Sequence, residues 1–252
     1  MDINVNQIKE NGYTIIPNFL NDKEITELQN LCDTTPVYMG ETWDKIWKAN
    51  GKFHEYEHWW SRVRDHPLIM SIKQKIRPLA DKCFGKDKYE QCYGGDFKVT
   101  NPGSNFMYCH FDTPYRHKRW ANDFSEDMLG MQFGIALDNF DDISGGTRIL
   151  PGSHKKIYLR EDMDSKKHDE EFLRDGITME LEPGGLFCYH SRIMHSPMPN
   201  KTQKSRRLLL LLHLSNTPSF IQELSRVEDE ESYTIENGSA FKKLNRGEHQ
   251  DF

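Results

Sequence analysis

The sequence lacks any long hydrophobic run: its longest is the leucine stretch 208–212, far short of the ~18 apolar residues a membrane span needs, and no hydrophobic leader opens the chain. A cytoplasmic protein with no membrane partner is expected. Cysteine is scarce as well. The five present (Cys32, Cys83, Cys92, Cys109 and Cys188) are odd in number and form no CxxC pair, which excludes a disulfide framework and a structural zinc site and predicts reduced thiols. Nor is there a basic excess. With 33 Lys and Arg against 39 Asp and Glu, the net charge is -6, so no nucleic-acid partner that needs a broad basic surface is expected. Aromatics, by contrast, are plentiful at 14 Phe, 10 Tyr and 5 Trp, and 252 residues suffice for one large domain with a packed core.

The front of the chain reads as a short strand at 12–17 followed by a helix capped by Asn21 or Asp22 and carrying Ile25, Leu28 and Leu31 on one face. Helical spacing resumes over 42–84, through Trp43 and Trp47, then Trp59 and Val63, then Ile69, Ile72, Ile76 and Leu79. The tryptophans, Trp60 included, are expected to pack these helices. Beyond residue 89 the texture changes to short runs broken by Pro-Gly and Gly-Gly turns, with candidate strands at 97–100, 105–109, 131–137, 147–150, 177–181, 186–190 and 206–214. Such a series predicts a β-sandwich or barrel with the front helices packed outside it. The charge-dense stretch 155–175 is expected to be a solvated loop or helix, and the chain after Pro218 is acidic and polar.

A His and a carboxylate two residues apart on an extended segment face the same way and can share one metal. Spacing alone is weak evidence here, because 11 histidines and 39 acids placed at random would give about two such pairs, and the chain has three. Context separates them. His168/Glu170 sits in a charged run and His249/Asp251 at a chain end, whereas His110/Asp112 leaves an apolar strand, where an ionisable pair is costly unless a metal or partner compensates. A third ligand from another strand would complete a facial triad with open coordination positions, the arrangement of non-haem Fe(II) oxygenases; His190, His195 and His213 are the candidates. Downstream, Arg206 opens an otherwise apolar strand. A guanidinium there calls for a carboxylate, which a dicarboxylate cosubstrate would supply, and Arg207 is the alternative.

Taken in order, Gly12-Tyr-Thr-Ile-Ile-Pro-Asn-Phe-Leu20, His110-Phe-Asp112, Gly145-Gly-Thr-Arg-Ile-Leu-Pro-Gly-Ser-His154, Glu182-Pro-Gly-Gly185 and His195 with Asn200 and Arg206 resemble the phytanoyl-CoA dioxygenase family of Fe(II)/2-oxoglutarate oxygenases, over roughly residues 5–215. The resemblance implies a mainly β fold with flanking α-helices, a double-stranded β-helix (a cupin-like jelly-roll barrel) with N-terminal helices outside. It implies His110, Asp112 and His195 as Fe(II) ligands, Arg206 as the clamp on the distal carboxylate of 2-oxoglutarate and Gln132 as a further cosubstrate contact. The chain departs from the family pattern at Gly134, where many members carry a bulky aromatic, and at Pro197, where many have a small polar residue. His154 recurs in the family and is expected to be structural.

On this reading residues 1–252 form a single oxygenase domain, mostly helical over 1–88, with the barrel and metal site over 89–217 and a polar tail over 218–252. The implied activity consumes O2 and 2-oxoglutarate, releases succinate and CO2, and hydroxylates a small molecule. Halogenation is disfavoured because Asp112 keeps a carboxylate where family-related halogenases have a small residue. A zinc hydrolase or a non-catalytic binding module are the alternatives; the first does not explain Arg206, and the presence of all three ligand residues argues against a decayed site. The basic knot Arg116-His117-Lys118-Arg119 just past Asp112, in a net-acidic chain, points to an anionic substrate held by Arg116, Lys118 or Arg119. Oligomeric state is not legible.

Overall fold

The computed structural model describes residues 2–35, 58–63, 65–104, 109–110, 130–156, 168–215, 233–236 and 239–242. Helix α1 (Val5–Asn11) is capped by the Asn4 side chain and stops at Gly12, whose φ of 87° is left-handed and suits glycine. A side chain at Gly12 is excluded twice over, since its Cβ would lie 2.7 Å from the His154 ring. Strand β1 (Tyr13–Ile16) follows, then α2 (Asp22–Thr34), which opens on a reciprocal capping box between Asn21 and Glu24. Pro67 at the first position opens α3 (Pro67–Phe84), which buries the predicted stripe Ile69, Ile72, Ile76 and Leu79.

The remaining strands are β2 (His58–Arg62), β3 (Tyr89–Thr100), β4 (Gly130–Ala136), β5 (Thr147–Ile149), β6 (Ile177–Thr178), β7 (Leu186–His190), β8 (His195–Pro197), β9 (Arg206–Ser215), β10 (Tyr233–Glu236) and β11 (Ser239–Lys242). Six build one antiparallel sheet in the order β1-β7-β4-β9-β3-β2, and three build a smaller sheet, β6-β5-β8. Apart from the β3–β2 edge, neighbours in the six-stranded sheet are not consecutive strands, as jelly-roll crossovers require. The last two strands pair as a hairpin.

Alternation along each strand sorts the core into layers. Met131, Phe133, Ile135, Cys188, Leu209 and Leu211 face outward and pack under the stripes of α2 and α3, as expected of helices laid outside a barrel. Ala136, Phe187, Tyr189 and Leu208 face inward and meet Ile149, Met179 and Leu181 from the small-sheet side. A third cluster, Cys109, Leu150, Phe172 and Met194, closes one end.

Two expectations need correction. The helical spacing predicted across 42–84 does not hold at 58–62, which form edge strand β2, so Trp59 and Trp60 lie in the sheet rather than on a helix. Together with β1, this makes the 1–88 segment a contributor of two strands to the six-stranded sheet. The stretch 155–175 is not wholly solvated: it ends in α4 (Asp169–Asp175), whose Phe172 is fully buried. Trp43 and Trp47 lie outside the described residues.

Candidate active site

Strand β7 points Phe187 and Tyr189 inward and Cys188 outward, and the chain then turns over residues 190–194 before entering β8. His195 opens β8 opposite Ile149 of β5. On its other side stands His110: the His110 N–H donates to the His195 carbonyl at 3.0 Å and the His195 N–H to the His110 carbonyl at 2.9 Å. Two residues that exchange both bonds are directly opposed, and their rings lie 4.4 Å apart between centroids. His195 is 4% exposed, with the Tyr189 ring 4.6 Å away.

The imidazole of His195 is oriented from behind. Its Nδ1 sits 3.0 Å from the Ile193 carbonyl oxygen, and a carbonyl only accepts, so Nδ1 carries the proton and Nε2 is the ring's lone-pair nitrogen. The rival histidines are differently placed. His190 is tied to the α1 side, where its Nδ1 accepts from the Arg192 N–H at 3.0 Å and its ring lies 5.4 Å from that of His154. His213 stands on the outer face between Tyr89 and Phe133, and burial pushes its pKa down to about 3, so it is neutral. Asp112, Arg116, Lys118 and Arg119 lie outside the described residues, and among those described no third His, Cys, Asp or Glu joins His110 and His195 in a metal-binding cluster.

The two adjacent arginines of β9 go to opposite faces. Arg207 is the outward one, with its backbone N–H and Nε both donating to Asp138 Oδ2 (2.7 and 2.9 Å), Nη2 to Asp138 Oδ1 (2.7 Å) and Nη1 to Asp33 Oδ2 of α2 (2.9 Å). These bonds, led by Asp138, raise its pKa further. Arg206 is the inward one, 1% exposed, and donates from Nη2 to the Thr100 hydroxyl with its guanidinium 4.6 Å from the centre of the Phe140 ring.

From Phe140 an aromatic row runs back to the histidines. Phe140 lies 5.4 Å from Phe187, Phe187 stacks on Tyr189 at 5.8 Å, and Tyr189 reaches His195. Gln132 is paired directly with Tyr189 across β4 and β7 and faces the same interior; its Oε1 is buried and receives no hydrogen bond. Gly134, two residues on, is paired with Phe187, and a Cβ there would lie 2.0 Å from that ring's Cζ. The aromatic bulk missing from β4 at Gly134 is thus supplied by β7. Pro197 ends β8 opposite Thr147. Sequence reasoning did not single out Phe140, Phe187 or Tyr189; the i, i+2 spacing of Phe187 and Tyr189 beside a histidine was the available signal.

The sequence profile of the phytanoyl-CoA dioxygenase (PhyH) family matches residues 8–208. Among curated proteins, the chain is 24% identical over 214 residues to Dioxygenase andF of Emericella variicolor, covering 79% of this chain and 69% of that one. It is 25% identical over 224 residues to the "Probable alpha-ketoglutarate-dependent hypophosphite dioxygenase" of Stutzerimonas stutzeri, covering 80% and 74%. Among solved structures, HygX of Streptomyces hygroscopicus, determined with nickel, 2-oxoglutarate and hygromycin B, superposes with a TM-score of 0.65 at 12% identity over 84% of this chain and 88% of that one. That likeness shows the jelly-roll fold. The family match, over the same strands that bring His110, His195 and Arg206 to one interior, gives the conclusion that this chain belongs to the phytanoyl-CoA dioxygenase family and is an Fe(II)- and 2-oxoglutarate-dependent dioxygenase.

Proposed function

We propose that His110, Asp112 and His195 hold the Fe(II), that Arg206 and Gln132 receive 2-oxoglutarate, and that the enzyme hydroxylates a small anionic molecule. The observation that carries this reading is the His110–His195 pair, clasped by two backbone hydrogen bonds with rings 4.4 Å apart, on the interior to which Arg206 also turns. The donor set fits the metal: with Nδ1 of His195 on the Ile193 carbonyl, Nε2 is the ring's lone-pair nitrogen, and His110 is the first residue of the His-x-Asp pair. Bound Fe(II) supplies O2 activation, coupling decarboxylation of 2-oxoglutarate to succinate and CO2 with oxidation of the substrate.

The chain's own residues do the rest. Arg206 offers a buried guanidinium to the distal carboxylate, a charge-assisted contact of about 1.5 to 3 kcal/mol. The Gln132 amide, whose buried Oε1 receives no donor within the protein, can turn either end toward a bound molecule. Phe140, Phe187 and Tyr189 wall the space between Arg206 and His195 and exclude water from it.

An anionic substrate is supported by the basic run Arg116, Lys118 and Arg119 directly after Asp112 and by the hypophosphite dioxygenase among the relatives. A cytoplasmic setting is supported by the described cysteines, Cys32, Cys83, Cys109 and Cys188, all of which are free thiols. The zinc-hydrolase and binding-module alternatives leave both the family match and Arg206 unexplained.

The test is succinate formation by Fe(II)-loaded protein against a panel of small anions. Turnover should vanish in His110→Ala, Asp112→Ala and His195→Ala and persist in His190→Ala, and the substrate KM should rise with ionic strength and in Arg116→Ala or Arg119→Ala. An active His195→Ala beside a dead His190→Ala would refute the ligand assignment. Salt-independent KM would refute the anion.

A further inference from the structure

The Pro151-Gly-Ser-His154 motif has no part in the chemistry described so far, yet three of its residues bracket the turn that delivers His195. The Gly152 N–H donates to the Asn11 carbonyl at 3.0 Å, and His154 Nε2 lies 3.1 Å from the Lys9 carbonyl, so the motif is fastened to the end of α1. That end is fastened to the turn in its own right, through the His190 N–H on the Gly12 carbonyl at 2.8 Å. Between these anchors sits Ser153, fully buried, whose Oγ accepts the Met194 N–H at 2.8 Å.

The Met194 N–H and the Ile193 carbonyl belong to one peptide unit. A peptide is planar, so fixing the direction of its N–H fixes the direction of its C=O. The Ser153 hydroxyl therefore aims, through that plane, the carbonyl that holds His195 Nδ1. The arrangement is dry: Met194 is 1% exposed and packs with Cys109, Leu150 and Phe172, so no water is at hand to replace the serine oxygen.

We propose that Ser153 is a positioning residue for the metal site, setting the orientation and tautomer of His195 through the Ile193–Met194 peptide. The proposal rests on the reading of His195 as a ligand. Removing the hydroxyl leaves the peptide free to rock, loosens the Nδ1 contact and lowers metal affinity; loss of an outer partner of a metal-binding histidine reduces affinity by roughly 10- to 100-fold.

The experiment is titration of metal-free protein with Ni(II), which binds imidazole well, alongside the melting temperature of the same metal-free samples. Ser153→Ala should weaken the Ni(II) Kd by roughly 10- to 100-fold. Ser153→Thr, which keeps the hydroxyl, should bind as the wild type does. Ser153→Cys, whose sulfur is a weak acceptor, should fall between them and keeps the test open if the alanine variant does not fold. His195→Ala should lose more than any of these. A serine that serves only the fold would lower the melting temperature and leave the Kd unchanged, so wild-type affinity in Ser153→Ala or Ser153→Cys, with His195→Ala impaired, overturns the proposal. Undiminished affinity in His195→Ala overturns the ligand reading beneath it.

Discussion

The two faces of the six-stranded sheet treat the same residue types in opposite ways, and β9 shows it within two positions. On the outer face Arg207 has its charge matched within the protein, by Asp138 through two guanidinium bonds and by Asp33 through a third, while its backbone N–H adds another bond to Asp138. On the inner face, one residue earlier, Arg206 lies against an aromatic ring and a hydroxyl, and Gln132, paired with Leu212 six residues along β9, keeps a buried oxygen with no donor. The histidines divide likewise. His213, outside, is held neutral by burial, whereas His195, inside, has its tautomer set by the Ile193 carbonyl at Nδ1. The difference teaches that the outer face matches its arginine with carboxylates of the protein and keeps its histidine neutral, while the inner face sets an arginine against an aromatic ring and buries a glutamine oxygen that no group of the protein donates to.

The sharpest way to break that contrast is to fill the inner face. Gly134→Ala puts a carbon 2.0 Å from Phe187 Cζ, a separation no packing allows, so the Phe187 ring must swing toward Phe140 and Tyr189. The expected loss is about 3 kcal/mol in urea unfolding, with 2-oxoglutarate binding lost as the wall moves. Adding Phe187→Leu to Gly134→Ala should recover most of the stability, because the two sites are direct cross-strand neighbours and must couple. Additive losses in the double variant would show that the ring has another way out.

Exchanging the roles of the arginines comes next. Arg206→Ala should raise the 2-oxoglutarate KM by roughly 10- to 100-fold, the equivalent of about 1.5 to 3 kcal/mol, with little change in unfolding free energy beyond the packing lost. Arg207→Ala should do the reverse, lowering stability while leaving the KM near that of the wild type. If the KM follows Arg207 instead, the inner face is not where the cosubstrate sits.

A third prediction concerns the outer face under acid. His213 has a pKa of about 3 in the fold against an ordinary value of 6.5, so below pH 6.5 the unfolded chain takes up a proton that the folded chain refuses. Stability is therefore unaffected above pH 6.5 and falls as the pH drops toward 3. At pH 5 the loss is about 2 kcal/mol. His213→Leu in the metal-free protein should remove that component, measured as a flatter dependence of urea-unfolding free energy on pH between 7 and 5. An unchanged slope would mean that other groups, such as His154, whose pKa burial also lowers, carry the acid response.

How much of this was legible in the sequence follows the range of the interactions. The strands at 147–149, 186–190 and 206–215 were readable because glycine and proline turns bound them and apolar residues fill them. The edge strand at 58–62 was not, since Trp59 and Val63 share helical spacing and only the distant partner β3 makes the segment extended. His110 stood out through its spacing to Asp112, but the choice among His190, His195 and His213 needed the family pattern, because the turn at 190–194 breaks the parity that would have separated them. The aromatic row was signalled only by the i, i+2 spacing of Phe187 and Tyr189, which leaves out Phe140. It exists only once β4 and β7 are in register, with Gly134 under Phe187 and Gln132 beside Tyr189.

The smallest expected effect tests how finely the outer network is graded. Arg207 has a side chain 19% exposed and meets two carboxylates, Asp138 at 24% exposed and Asp33 at 61%. Asp138 also takes the Arg207 backbone N–H and a bond from Gln29 of α2, so Asp138→Asn removes a charge from a crowded, half-dry site. Asp33→Asn removes one from the rim, where water and salt already screen it, and should cost less than about 1 kcal/mol and fade as salt is added. Asp138→Asn should cost more and respond less to salt. In neither variant should the 2-oxoglutarate KM move, because both act on the arginine that faces away from it. A salt-insensitive loss in Asp33→Asn, or a KM change in that variant, would show that α2 reaches the inner face through β9 and that the two faces are less separate than their contacts make them.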